Sequence, residues 1–549
     1  MLQHTILLAM SVLYTTLAIA QKDTTPNINQ AIKVKASFKP VLIPATKLSF
    51  TATPPVIDTT PPKLSYTVPS QNLFFSYIPF PLKPVALDDA KVKGWANSNY
   101  IKIGYGNYNT PYLQAGLSFG NSQTASVGAY AHYISSKGSL PNQAFTQYGV
   151  GLQGTKLIQQ SKELNSSISY NHNGTFLYGY NRDTISYTKD QVRQQFNTIS
   201  LSTNLRNTTI TEYGINYNPS ISASIFTDNR KANETTIGIK IPIEKNIGQT
   251  IGVQLGASLD YVQYKKPSVS ITNTILNVSP ALLVKNSAYQ LKLGATPTWD
   301  NGKLTVLPNI TANAQLQQSK LVLQLGWLGY YNIGSYQQWA QRNPFIIQPN
   351  ALPNTKVNEA YIGFKGTSGS HIVYNLKASY VGYLNMPLFT NDSITAKSFI
   401  ILNEPNLKTI QFVAEVGVIE KEIFHFTAGI KVNNFISLAT NAKAWGMLPL
   451  ELTGALRWQL AKGVTLTSDA FVWDGATFKT KTGTTKLKVV ADINVGAQFK
   501  IAKNIAIWAA ANNISNNTYQ RWRNYETLGA NYLGGIRYTF DTRKQELLK

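Results

Sequence analysis

The chain has 549 residues, a formal net charge of +24 and no cysteine, which excludes disulfides, a lipoprotein anchor and thiolate metal sites. Only 14% of it is charged while 11% is aromatic, and its 30 tyrosines outnumber tryptophan and methionine together. That balance suits a wall with lipid on one side and water on the other, and beyond residue 20 no run of about 18 apolar residues offers a membrane-spanning helix.

Residues 1–20 read as a signal peptide, with an apolar core from Ile6 to Leu17 and small residues, Ala18 and Ala20, at the −3 and −1 positions; cleavage is expected before Gln21. Residues 21–98 hold eleven of the 25 prolines, clustered as in Pro54-Pro55 and Pro61-Pro62. Proline at this density blocks helix and sheet alike, so extended, polyproline-like periplasmic chain is expected. Basic or aromatic islands interrupt it, from Lys33 to Pro40, Lys47 to Phe50 and Leu73 to Tyr77. A plain spacer has no need of them. Such a segment can fold into a lumen or dock on a periplasmic partner.

From Asn99 onward the pattern changes to alternation. Between Ile251 and Tyr261 the apolar residues Ile251, Val253, Leu255, Ala257, Leu259 and Tyr261 interleave with Gly252, Gln254, Gly256, Ser258 and Asp260; Phe424 to Val432 and Val489 to Lys500 repeat the pattern. Each segment is about ten residues long, the length a tilted strand needs to cross a bilayer. Only helices and closed sheets satisfy every backbone group in lipid, so the fold expected for 99–540 is an all-β, transmembrane antiparallel β-barrel. About 22 strands fit, with 18 to 24 allowed, followed by a periplasmic tail, 541–549. Tight connections (Glu420 to Glu422, Ala461 to Gly463, Ala502 to Asn504) alternate with long polar ones (Asn433 to Pro449, Asp474 to Thr485, Gln520 to Gly529), as periplasmic turns and outer loops do. The longest outer connection runs from Ser335 to Asn358. A lumen of this size is kept plugged in 22-stranded transporters.

Alternation places Asp260, His425, Lys431, Arg457, Asp492, Lys500 and Arg537 on the lumen face. A salt bridge within the lumen or a water-facing side chain is the plain reading of each, and contact with a solute the sharper one. Tyr330, Tyr331, Trp339 and Trp445 fall at outer strand ends or loops, where girdle aromatics anchor a barrel and where rings can also stack on a sugar or peptide. The five histidines are scattered singly and show no metal-ligand spacing, so no enzyme activity, metal or cofactor is expected. Export makes nucleic acid an inaccessible partner for the positive charge; outer-membrane lipid and the phosphates of lipopolysaccharide are accessible ones.

The stretch from Ala511 to Tyr525, with Asn512, Asn513 and Asn516, followed by Gly529 to Phe540, resembles the end of TonB-dependent receptors. The resemblance implies that Tyr532, Ile536, Tyr538 and Phe540 form a carboxy-terminal β-signal read by the barrel-assembly machinery. It covers about thirty residues. That family carries a plug domain behind a TonB box, whereas residues 21–98 show neither, so the chain is similar to plugless receptor-like barrels of the Bacteroidetes. The expectation is a Gram-negative outer-membrane barrel engaged in solute transport. The alternative is a structural or assembly subunit whose amino-terminal segment docks a partner.

Overall fold

Side chains that alternate between apolar and polar make one face of every strand greasy, and a sheet with one greasy face closes most simply on itself. The computed structural model describes residues 98–541 apart from 122–123, 160, 317–320, 422 and 482. The signal peptide, residues 21–97 and the tail after 541 lie outside them. The described residues form a closed antiparallel barrel of 22 strands, as expected. The three-residue strand Ile215–Tyr217 adds no position to the ring, because it pairs with Asn233–Ile247 in line with Ser220–Asp228.

Strand Ile251–Lys266 shows how the wall is made. Ile251, Val253 and Leu255 are exposed on the outside, while Gly252, Val262 and Tyr264 are buried on the inside. The outward apolar run from Ile251 to Leu259 is about nine residues long, and beyond it Tyr261, Gln263 and Lys265 take over. An aromatic at this boundary suits the edge of a lipid-facing band.

Closure joins the first strand, Ser98–Gly106, to the last, Asn531–Asp541, with Ser98 opposite Asp541 and Gly106 opposite Leu533. Two glycines make this seam possible. Gly104 and Gly535 face each other on the inside, with Tyr112 opposite Gly104 and Trp508 opposite Gly535 on the flanking strands. Over the glycine pair the Tyr112 and Trp508 rings meet, 5.2 Å between centroids, and Trp508 Nε1 donates to Ile103 O at 3.2 Å. The Lys102 ammonium lies 4.0 Å from the Trp508 ring and 5.3 Å from Tyr112. Glycine in a strand marks such close approach, since any Cβ would occupy the space of the rings and the opposite backbone.

The two ends of the barrel differ. The end that bears Ser98 and Asp541 carries mostly tight turns, such as 248–250, 369–371 and 462–463. The opposite, loop end carries the long connections 177–192, 333–354, 439–449, 474–489 and 513–530. Strand ends differ from those that alternation suggested in both directions: Phe424–Leu438 runs on past Asn433, whereas Ile505–Asn512 stops well short of Gln520, and the longest connection begins at 333 and ends at 354. Simple alternation of short and long also fails at four places, because 107–109, 229–232, 267–268 and 301–302 are tight turns at the loop end. These strands are long enough to pair to their tips; connection 513–530 reaches the turn at 107–109, and the inner faces at the other three turns are covered by a loop from elsewhere.

Candidate functional site

That loop is 333–354, and it starts with a sequence-coded stop. Ser335 caps the helix Tyr336–Arg342, its hydroxyl accepting from Gln338 N. A wall carboxylate holds the same turn: Glu234 accepts from Ser335 Oγ at 2.5 Å, Tyr336 N at 2.6 Å and Gln337 N at 3.1 Å. Tyr336 then lies inside the barrel against Phe196, Phe226 and Tyr264, and its hydroxyl donates to Asp228 at 3.0 Å. Burial and the Asp228 carboxylate push this phenol well above its ordinary pKa, so it remains a donor. Further along, Gln348 Nε2 donates to Asp228 at 2.8 Å, and Asn273 Nδ2 donates to Leu352 O at 2.9 Å. The loop is thus fastened across strands whose own connections are tight turns.

Connection 513–530 comes from the other side of the ring. Arg521 donates to Gly446 O at 3.0 Å, Asn524 to Gly179 O at 2.9 Å, and the Tyr525 hydroxyl to Lys397 O. The Glu526 carbonyl accepts from Tyr178 at 2.8 Å and from Gln143 at 2.9 Å. At the junction the Phe345 and Tyr525 rings stack at 3.5 Å, with Tyr178 edge-on at 4.8 Å from Tyr525. Three connections that leave the wall far apart therefore meet over the lumen. Trp522, fully buried, continues the cluster to Phe389, Phe399 and Phe478. Wall carboxylates fasten this side too: Glu404 accepts from the backbone of Ala439 at 2.7 Å and Asn441 at 2.8 Å, and Asp492 accepts from the Tyr519 hydroxyl at 2.6 Å. The result is an aromatic roof over the loop end, pinned from below by acids that burial would penalise without these donors.

Pinning has a measurable consequence. Replacing Glu234 with alanine strips two buried donors and one part-buried donor of their acceptor, a local cost of about 3 kcal/mol. Hydrogen exchange at Tyr336 and Gln337 should speed up while the strand amides stay protected; unchanged protection at both positions would show that the carboxylate does not hold the loop.

The residues singled out by alternation are dispersed around the ring. Asp492 is buried and belongs to the roof through Tyr519. Lys431 stands opposite Glu451 and pairs with it at 3.8 Å, and His425 stands opposite Arg457. Arg537 is buried over the Tyr100 ring, with centroid distance 4.7 Å, and Lys102 is its register partner. Asp260 is half-buried opposite Gly238, while Lys500 is exposed near the turn at Gly463. Tyr532, Ile536, Tyr538 and Phe540 are exposed on the outer face of the last strand. Among the described residues no cluster of three or more histidines and carboxylates could hold a metal ion. Alternation overlooked Glu234 and Glu404, because a lone carboxylate on an inward face has no signature until its loop arrives. The cap at Ser335 and the aromatic content of 333–354 were the available hints.

No family model and no curated protein matches the sequence. Solved structures share the fold. The chain is similar to the FrpB iron transporter from Neisseria meningitidis, with TM-score 0.62, 10% identity and 81% of each chain covered. It is also similar to the pyoverdine outer membrane receptor FpvA from Pseudomonas aeruginosa, with TM-score 0.61, 11% identity, and coverage of 81% of this chain and 78% of that one. The siderophore receptor PirA from Acinetobacter baumannii superposes with TM-score 0.60 at 8% identity, covering 81% and 80%.

Proposed function

We propose that the chain is an outer-membrane barrel of the TonB-dependent-receptor type, that a solute crosses the membrane through its lumen, and that the loop roof is the barrier on that route. The observation that carries this reading is the closed 22-stranded wall capped by loops that meet across its mouth. A wall alone would suit an anchor; a fastened roof is useful where passage has to be controlled. In this reading the loop end faces outward and both barrel termini face the periplasm. The signal peptide ending at Ala20 directs export, and the proline-rich segment starts in the periplasm. The exposed row Tyr532, Ile536, Tyr538 and Phe540 is what the barrel-assembly machinery reads, and lipopolysaccharide surrounds the outer rim. Structural relatives named as an iron transporter and a siderophore receptor support a transport role over a purely structural one.

Planar-bilayer recording tests it. The full-length protein, and a variant lacking residues 21–97, should both stay closed while the roof is intact. Shortening connection 333–354 in the variant lacking 21–97 should produce large, steady conductance steps. A folded, tail-less, roof-shortened barrel that passes no current would end the transport reading.

A further inference from the structure

Connection 474–489 carries Lys479, Lys481, Lys486 and Lys488 against a single carboxylate, Asp474. Within it, Thr477–Lys479 pairs with Thr484–Lys486, Thr477 opposite Lys486 and Lys479 opposite Thr484. Phe478 is fully buried in the roof, 5.9 Å from the Phe399 ring and 6.1 Å from Trp522, and Gly446 N donates to Thr477 O at 3.0 Å. Successive side chains of a strand point to opposite faces. Seating Phe478 in the roof therefore turns Lys479 and Lys486 away from it, and all four lysines are exposed.

Lys486 pairs with Asp474 at 2.8 Å, the hairpin's ion pair among the described residues. Asp474 can neutralise only one ammonium group. Lys479, Lys481 and Lys488 remain concentrated on one short hairpin, where their mutual repulsion is relieved when an anion arrives. The hairpin's anchor also decides where that anion comes from. Phe478 sits among roof residues and not on the outward apolar band, so the hairpin belongs to the roof at the loop end, where its lysines are exposed. Elsewhere in the roof, connection 333–354 contributes Arg342, whose guanidinium lies 5.2 Å from the Phe389 ring, and no carboxylate.

We propose that this hairpin is a docking site for a multivalent anionic solute, one bearing several phosphate or carboxylate groups, and that it makes the first contact with the solute whose passage was proposed above. The solute's later fate rests on that transport reading; the docking itself does not.

Titration calorimetry on the full-length protein in neutral detergent, with inositol hexakisphosphate as the probe, tests the docking site. Wild-type protein should bind at low salt and lose affinity as salt rises. The triple variant K479Q/K481Q/K488Q leaves Phe478 and the Lys486–Asp474 pair in place, so it should fold normally and bind at least about tenfold more weakly. Equal affinity in the variant, or no binding by the wild type, would overturn the proposal. So would a variant that binds the probe normally but loses co-purified lipopolysaccharide, since the lysines would then be a lipid contact. Binding by a roof-shortened barrel that carries no current would leave the docking site standing and remove only the transport reading.

Discussion

Gly535→Val should abolish the folded barrel. A Cβ at this position would lie 1.9 Å from Ile103 O and 2.6 Å from Gly104 Cα, both backbone atoms of the opposite strand, so no side-chain rearrangement can admit it. The mismatch falls on the single pairing that turns an open sheet into a ring. Without it, Ser98–Gly106 and Asn531–Asp541 become edge strands, with unpaired backbone groups that each cost several kcal/mol in lipid, together more than a whole domain's net stability. The check is electrophoretic: unboiled wild-type protein should migrate as a compact, heat-modifiable band, and the variant should run at its unfolded position. A compact band at wild-type intensity would mean that the seam tolerates separation. Gly534→Ala is the control. A Cβ there meets only Trp508 O, at 3.6 Å, and Gly534 is on the outward face, so the compact band should persist.

The second large effect is expected at Trp522. Truncation to alanine removes a fully buried indole from between Phe389, Phe399 and Phe478, and removals of this kind cost about 3–5 kcal/mol. The ring lies in a connection and not in the wall, so the cost should appear as local opening and leave barrel melting nearly unchanged. Hydrogen exchange should rise together across 439–449, 474–489 and 513–530. If the roof is the barrier, the variant lacking residues 21–97 should also begin to flicker open in bilayers once Trp522 is replaced. Exchange confined to 513–530 would show that the roof is a set of independent loops and not one cluster. The Glu234→Ala effect is smaller because it releases one connection at one end, whereas Trp522 lies where several meet.

Legibility in the sequence followed the range of the interaction. Strands such as Ile251–Lys266 and Val490–Lys500 were readable because a period of two is a local property, imposed residue by residue by having lipid on one side. Strand number followed from adding such segments and from the parity that closure demands. The tight turns at 229–232, 267–268 and 301–302 could not be assigned to the loop end by length, because a turn needs only two to four suitable residues at either end of a barrel.

The roof was a different matter. Phe345, Tyr178 and Tyr525 are separated by well over a hundred residues from one another, and nothing local tells a girdle ring from a ring folded over the mouth. Trp339 and Trp445, placed by sequence at the outer end, prove to be buried in roof connections. Glu234, Glu404 and Asp492 acquire their roles only when a distant loop brings its donors. By itself, then, the sequence determined an alternating wall, its approximate strand number and its final outward row at Tyr532, Ile536, Tyr538 and Phe540, because each is a matter of neighbours along the chain. Only the tertiary structure decided that two glycines meet under Tyr112 and Trp508 to close the ring, and that the long connections fold inward to cover it, because those contacts join parts of the chain that no short-range pattern can relate.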